Sequence, residues 1–183
     1  MEPPHIAPGR LVRLGVIVPK ELDQSSANRL ARMCDLAGID VVWVDDPARA
    51  SAMAVEPESS RLSHAKVLVR PERDEPWART VAVSIGRTEA EAAARADANP
   101  AFADIGDPRE GGLFGTLEQC QDRVIALAHQ GVVDVRCVLP DAPDVHDVIA
   151  QLTAVTIGSL VTHRPDAERS ASPPPPPWSR PDQ

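Results

Sequence analysis

From Leu11 the chain reads Leu-Val-Arg-Leu-Gly-Val-Ile-Val, a short apolar run rich in β-branched residues, and Pro19 ends it. A run of this length and composition predicts a buried strand. Behind it, Asp23 or Ser25 can cap a helix, in which Leu30, Met33, Cys34 and Ala37 recur at spacings of three and four and form one apolar stripe. Gly38 stands where a glycine would end that helix. Residues 39–44, centred on Val41-Val42-Trp43-Val44, predict a second strand that runs into Asp45-Asp46-Pro47. Strand, helix and strand in this order form a β-α-β unit, which implies parallel strands and a right-handed crossover.

The pattern weakens over residues 48–79. Residues 50–55 carry a short helical pattern and Lys66-Val67-Leu68-Val69 a short strand, with Glu56-Pro57-Glu58-Ser59-Ser60 between them as a surface turn. It sharpens again at Val81-Ala82-Val83-Ser84-Ile85, a strand. Thr88 and Glu91 have the spacing of a capping box and open a helix expected over 89–98, which Asn99-Pro100 breaks. Residues 104–112, with Gly106, Pro108, Gly111 and Gly112, read as loop. After Gly115, Thr116 and Gln119 repeat the capping-box spacing. The helix they open runs to His129, with Cys120, Val124, Leu127 and Ala128 on one face, and Gly131 closes it. Val135-Arg136-Cys137-Val138-Leu139 is a further strand, stopped by Pro140. Asp144 caps a last helix whose Val145, Val148, Ile149, Leu152 and Val155 face inward.

Composition bounds the class. The chain has 183 residues, of which 43% are hydrophobic and 25% charged, the profile of a packed globular domain. The patterned region, 10–161, is read as one α/β domain. A Pro-rich arm, 1–9, precedes it and a disordered Pro-rich tail, 162–183, follows. Within that tail the five prolines Pro173 to Pro177 favour polyproline II. They could also serve as a ligand for a proline-recognition domain, or as a spacer for a docking residue at Trp178. The net charge of -8, and the lack of any dense Lys/Arg cluster among 17 Arg and 2 Lys, argue against nucleic acid as a main partner. No window approaches the ~18 consecutive apolar residues of a membrane span, and residues 1–10 lack the regions of a signal peptide, so a cytoplasmic protein is expected.

Candidate chemistry is sparse. Cys34, Cys120 and Cys137 are widely spaced and form no metal signature, which predicts three reduced, buried thiols. His129, His146 and His163 include no pair at a metal-binding i,i+4 spacing, so no metal is expected. Asp45 and Asp46 lie at the carboxyl end of a parallel strand, where α/β folds place ligands. As neighbours on a strand they point to opposite faces; one could orient a ligand while the other caps the next element. Gly115-Thr116 opens a helix whose N–H groups could hold an anion such as a cofactor phosphate, or serve only as a cap.

Two blocks carry a family resemblance. The first runs from Leu14-Gly15-Val16-Ile17-Val18-Pro19 through Leu36-Ala37-Gly38-Ile39-Asp40 to Val42-Trp43-Val44-Asp45-Asp46. The second is Val83-Ser84-Ile85-Gly86-Arg87-Thr88-Glu89-Ala90-Glu91-Ala92, then Phe114-Gly115-Thr116-Leu117-Glu118-Gln119 and the helix and strand to Leu139. In this order they resemble the luciferase-like monooxygenases, flavin- and deazaflavin-dependent oxidoreductases of the bacterial luciferase type. The resemblance implies a mainly parallel sheet and a TIM-barrel-like (β/α) fold. A full barrel typically needs about 250 residues, so it implies a truncated one, with family units missing between 48 and 79. It further implies flavin mononucleotide (FMN) or a deazaflavin as cofactor. Asp46 becomes the candidate catalytic residue, and Asp45, Gly115 and Thr116 the candidate cofactor-binding ones.

The sequence departs from the family at two places. Many deazaflavin-using members end the second strand in Trp-Val-x-Asp-His, whereas this chain has Pro47 where the histidine would be, and proline cannot relay a proton. The Gly-rich phosphate segment near the end of the family barrel has no counterpart. The expected function is therefore an oxidoreductase or monooxygenase acting on a small molecule, with a non-catalytic interaction or binding subunit as the alternative. An incomplete barrel leaves strand edges exposed, which predicts a homo-oligomer or a complex with a full-length relative.

Overall fold

The structure, a computed structural model, describes residues 11–54, 64–99, 102, 105–140 and 145–162, with the side chains of the last helix to residue 155. Its first half runs β1 (Arg13–Ile17), α1 (Gln24–Leu36), β2 (Val41–Val44), α2 (Pro47–Ala54), β3 (Lys66–Val69) and β4 (Ala78–Ile85). The second half runs α3 (Glu89–Asp97), α4 (Pro108–Gly111), β5 (Leu113–Gly115), α5 (Leu117–His129), β6 (Asp134–Val138) and α6 (Val145–Thr162). The Pro-rich arm, the turn at 56–60, the Asp144 cap and the proline tail lie outside the described residues.

The six strands form one all-parallel sheet in the order β3-β2-β1-β6-β4-β5. The expected β-α-β unit is present, with Gly15 opposite Val41 and Ile17 opposite Trp43. The strand placed last in the chain, β6, is inserted between β1 and β4. In a closed barrel, strands that follow one another along the chain are neighbours, and β5 would then adjoin β6. Here β4 takes that position, and β3 and β5 form the two edges.

Alternation along each strand sorts its side chains onto two faces. Leu14, Val16, Val42, Val44, Val81, Val83, Ile85, Val135 and Cys137 build the core of the first face. Against them pack Leu30 and Cys34 of α1, Met53 of α2, Cys120, Val124 and Leu127 of α5, and Ile149 and Leu152 of α6. The second face carries Ile17, Val41, Trp43, Ala82 and Val138, covered in part by Ala96 of α3 and by Phe102. Steps toward β3 (β1 to β2, β2 to β3, and β5 to β6) put their helices on the first face. Steps the other way use the second face, as a single crossover hand requires.

The longest step, β3 to β4, has no helix. Residues 70–77 instead cross the second face as a strap, passing over β2, β1 and β6. Beneath the strap lies a charged knot. Arg136 donates to Asp134 at 2.9 Å, to Asp74 at 3.0 Å and to Glu75 at 2.7 Å, and its guanidinium lies 4.5 Å from the centre of the Trp43 ring. Arg13 donates to the other oxygen of Asp134 at 2.8 Å and also approaches the Trp43 ring. Arg136 and Asp134 are 1% and 0% exposed, so each charge is buried only because it is paired. Asp74 also accepts from the Thr80 amide at 2.6 Å, which fixes the strap to the start of β4.

Local signals and observed elements agree at most helix ends. Asp23, rather than Ser25, caps α1, accepting from the Ser26 amide at 2.9 Å. Thr88 and Thr116 cap α3 and α5 as their spacings predict, and only Thr116 makes the complete box with Gln119. Gly38 and Gly131 take left-handed φ values of 79° and 83° beyond their helices. Two elements differ. Residues 108–115, read as loop and helix lead-in, hold a one-turn helix capped by Asp107 and the three-residue strand β5. The second helix starts at Pro47, not at 50, because the Asp46 carboxylate accepts the Ala48 amide at 2.8 Å.

Candidate functional site

The carboxyl ends of parallel strands form the rim on which α/β proteins bind ligands, above all where neighbouring strands send their chains to opposite faces. Asp45 and Asp46 lie on this rim after β2, and Gly115 and Thr116 on it after β5. The two pairs are four strand positions apart, about 19 Å at roughly 4.8 Å per strand. The fold does not gather the four residues into one cluster.

Each has a local partner. Asp45 accepts from the Arg70 Nε at 2.7 Å, an ion pair open to solvent on both sides that joins the ends of β2 and β3. Asp46 uses Oδ1 to cap α2, and its Oδ2 has no described hydrogen bond. Next to it, Arg49 of α2 donates to the Pro19 and Leu22 carbonyls, tying α2 to the loop after β1. At the other end of the rim the Thr116 amide donates to Gln119 Oε1 at 2.7 Å, and the Gln119 amide donates back to the Thr116 hydroxyl at 3.4 Å. Gly115 has a φ of 108°, and a Cβ there would lie 2.1 Å from Gln119 Oε1. The glycine is required both by its backbone and by the folded-back glutamine.

Sequence reasoning passed over the switch point itself. The chain leaves β6 toward the first face and β4 toward the second, so the crevice between these adjacent strand ends is where the fold favours a ligand. Gly86 and Arg87 follow β4 at this point, and Leu139 and Pro140 follow β6. Gly86 packs so tightly that a Cβ would lie 2.7 Å from the Ala92 nitrogen. The Arg87 amide and side chain both engage Glu91, and Arg95 donates to the Ile85 carbonyl at the strand end. The available signal was Gly86-Arg87-Thr88, a glycine between a strand and a capped helix; the position of β6 beside it is not encoded locally.

The cysteines are buried on the first face, at the α1, α5 and β6 contact. Burial pushes the Cys34 and Cys120 thiols up to about 12 and that of Cys137 higher still, so none is poised as a nucleophile. Among the described residues no three His, Cys, Asp or Glu side chains are grouped to hold a metal ion. No described helix is long and apolar enough to cross a membrane. Compared with known proteins, the chain matches no family model and no curated sequence.

Proposed function

We propose that the chain is a shortened relative of the luciferase-like oxidoreductases that serves as an interaction or binding subunit and does not catalyse on its own. The observation that carries this reading is the capping box at the N-terminus of α5. The Thr116 amide is held by Gln119 at 2.7 Å and the Gln119 amide by the Thr116 hydroxyl, so two of the N–H groups at this terminus already have acceptors. Under this reading units of a full barrel are missing between β2 and β4, where α2, β3 and the strap remain. Two sheet edges are then left for a second copy or a full-length relative, and Val69 on the β3 edge is 42% exposed. A cytoplasmic location, with neither nucleic acid nor membrane as partner, belongs to the same proposal.

A second reading keeps the oxidoreductase active with FMN or a deazaflavin. The Oδ2 of Asp46 at the carboxyl end of β2, which has no hydrogen bond among the described residues, favours it, since that oxygen could accept a hydrogen bond from a bound ring. Fluorescence titration of the purified chain with FMN, and separately with the deazaflavin coenzyme, separates the two readings. The subunit reading expects no saturable change at micromolar cofactor from a protein that circular dichroism shows to be folded. Saturable binding weakened by Asp46→Asn would overturn it and establish the second. Sedimentation at micromolar concentration tests the association, and a stable monomer that binds no relative counts against it.

A further inference from the structure

We propose that the lower edge of β4, below β5, binds a short extended peptide with an acidic side chain. This stands on a cleft distinct from the rim and does not depend on the reading above. The cleft, of about 360 Å³, falls within the ~300–1,000 Å³ range of ligand sites. It follows the edge of β4 where β5 ends, because β5 pairs only with Val83 to Ile85.

The main-chain direction on this edge can be worked out. The Trp77 carbonyl, entering β4, accepts from the Val133 amide beside β6 at 2.8 Å, so odd-numbered residues of β4 turn their main-chain groups toward β6. Even-numbered ones turn toward β5: the Gly86 amide donates to the Gly115 carbonyl, and a Cβ on Gly112 would lie 2.3 Å from the Ala82 carbonyl oxygen. Asp74 takes the Thr80 amide. The Thr80 carbonyl and the Ala82 amide face this edge with no strand paired to them, and both residues line the cleft, Ala82 with only 2% of its surface exposed. One acceptor and one donor two residues apart are the pair that an added strand engages.

The side chains set the preference. The cleft spans both faces, so alternate residues of an added strand meet different walls. On the first face lie Arg79, which has no described ion pair, and Arg123, whose one described bond is a 3.4 Å contact to the Gly111 carbonyl. On the second lie Gly111, which leaves room, and the carboxylate of Glu110. Asp107 also lines the cleft, but its carboxylate is bonded to Arg109, which it shares with Asp97. A central acidic residue flanked by small ones fits the two walls. A compact anion would use the arginines and leave the Thr80 carbonyl unmatched.

The probe is the capped tripeptide acetyl-Ala-Glu-Ala-amide, followed by amide NMR on the full chain. The expected result is a saturable shift of the Ala82 amide at millimolar peptide, with slowed hydrogen exchange there. Acetyl-Ala-Lys-Ala-amide should bind at least tenfold more weakly, although the chain's charge of -8 favours it at long range. Arg79→Ala should weaken the acidic peptide about tenfold, the scale of one charge-assisted contact. Gly111→Val should abolish binding and leave the fold intact, since a Cβ there meets nothing within 4 Å. No Ala82 response overturns the proposal. So does equal binding of the lysine peptide, binding that survives Gly111→Val, or the same response to sodium acetate alone.

Discussion

Replacing Arg136 by leucine tests whether the knot beneath the strap holds the second face together. The wild-type guanidinium is 1% exposed and bonds three carboxylates, of which Asp134 is fully buried while Asp74 and Glu75 are partly open. Without it, Asp134 keeps only Arg13 at 2.8 Å, and the strap loses both its side-chain bonds to β6. Breaking a buried pair from one side costs about 3–5 kcal/mol, because the remaining charge stays desolvated. Against a typical total of about 5–15 kcal/mol, this is a large share of the stability. For a chain of this size it lowers the melting temperature by roughly 6–20 °C. Thermal unfolding followed by circular dichroism reads the shift, with Arg70→Leu as the contrast. That variant breaks the exposed pair with Asp45 and should change stability by about 1 kcal/mol at most. Adding Asp134→Asn to Arg136→Leu should cost less than the two single changes together, since the stranded charge is gone. If Arg136→Leu melts within about 3 °C of the wild type, the knot contributes no more than its apolar replacement and the reasoning fails.

Three further outcomes are expected. Gly15→Ala places a Cβ 2.3 Å from Trp43 Nε1 and should cost about 1–3 kcal/mol by overpacking, with Trp43→Leu restoring part of the loss; additive losses in a double-mutant cycle would refute the contact. The buried thiols should ignore a thiol-specific reagent near pH 8 until denaturant is added. Their pKa values are raised on folding, so the unfolded chain releases protons first, and stability should fall as pH rises from about 9 toward 12; rapid labelling of the native protein would contradict the assigned burial. The Ser26 amide and hydroxyl hold the Asp23 carboxyl below its usual value, so the cap should act above the normal carboxylate range and weaken as pH falls through the lowered one. Asp23→Asn keeps the cap and should flatten this dependence in acid titrations of helicity, and an unchanged profile would show that Asp23 has no part in it.

Much of the candidate rim was legible in the sequence, because the signals there are local. Asp45-Asp46-Pro47 after an apolar run marks the end of a strand, and Thr116 with Gln119 marks the start of a helix, whatever surrounds them. What these residues do once the chain is folded was less accessible. The same spacing that predicts a cap also permits an anion site, and only the tertiary structure shows that the Gln119 side chain makes the cap. The strand β5 escaped notice because three residues among glycines carry no measurable periodicity. The cleft below it escaped for the same reason, since it exists only where β5 stops.

The sequence by itself determined the first β-α-β unit, the apolar stripes of α1, α5 and α6, the helix caps and the parallel character of the strands. Each depends on residues a few positions apart, and steric and hydrogen-bonding preferences act at that range. The tertiary structure alone decided that β6 enters between β1 and β4, a pairing of Arg13 with Asp134 across 121 residues. It also decided the fate of Asp134 and Arg136. Alternation in Asp134-Val135-Arg136-Cys137-Val138 places the two charged residues on one face. A two-residue period reports which side chains share a face but not what comes to lie over it. Here the strap brings two carboxylates from 62 and 61 residues away, and the buried arginine follows from that crossing.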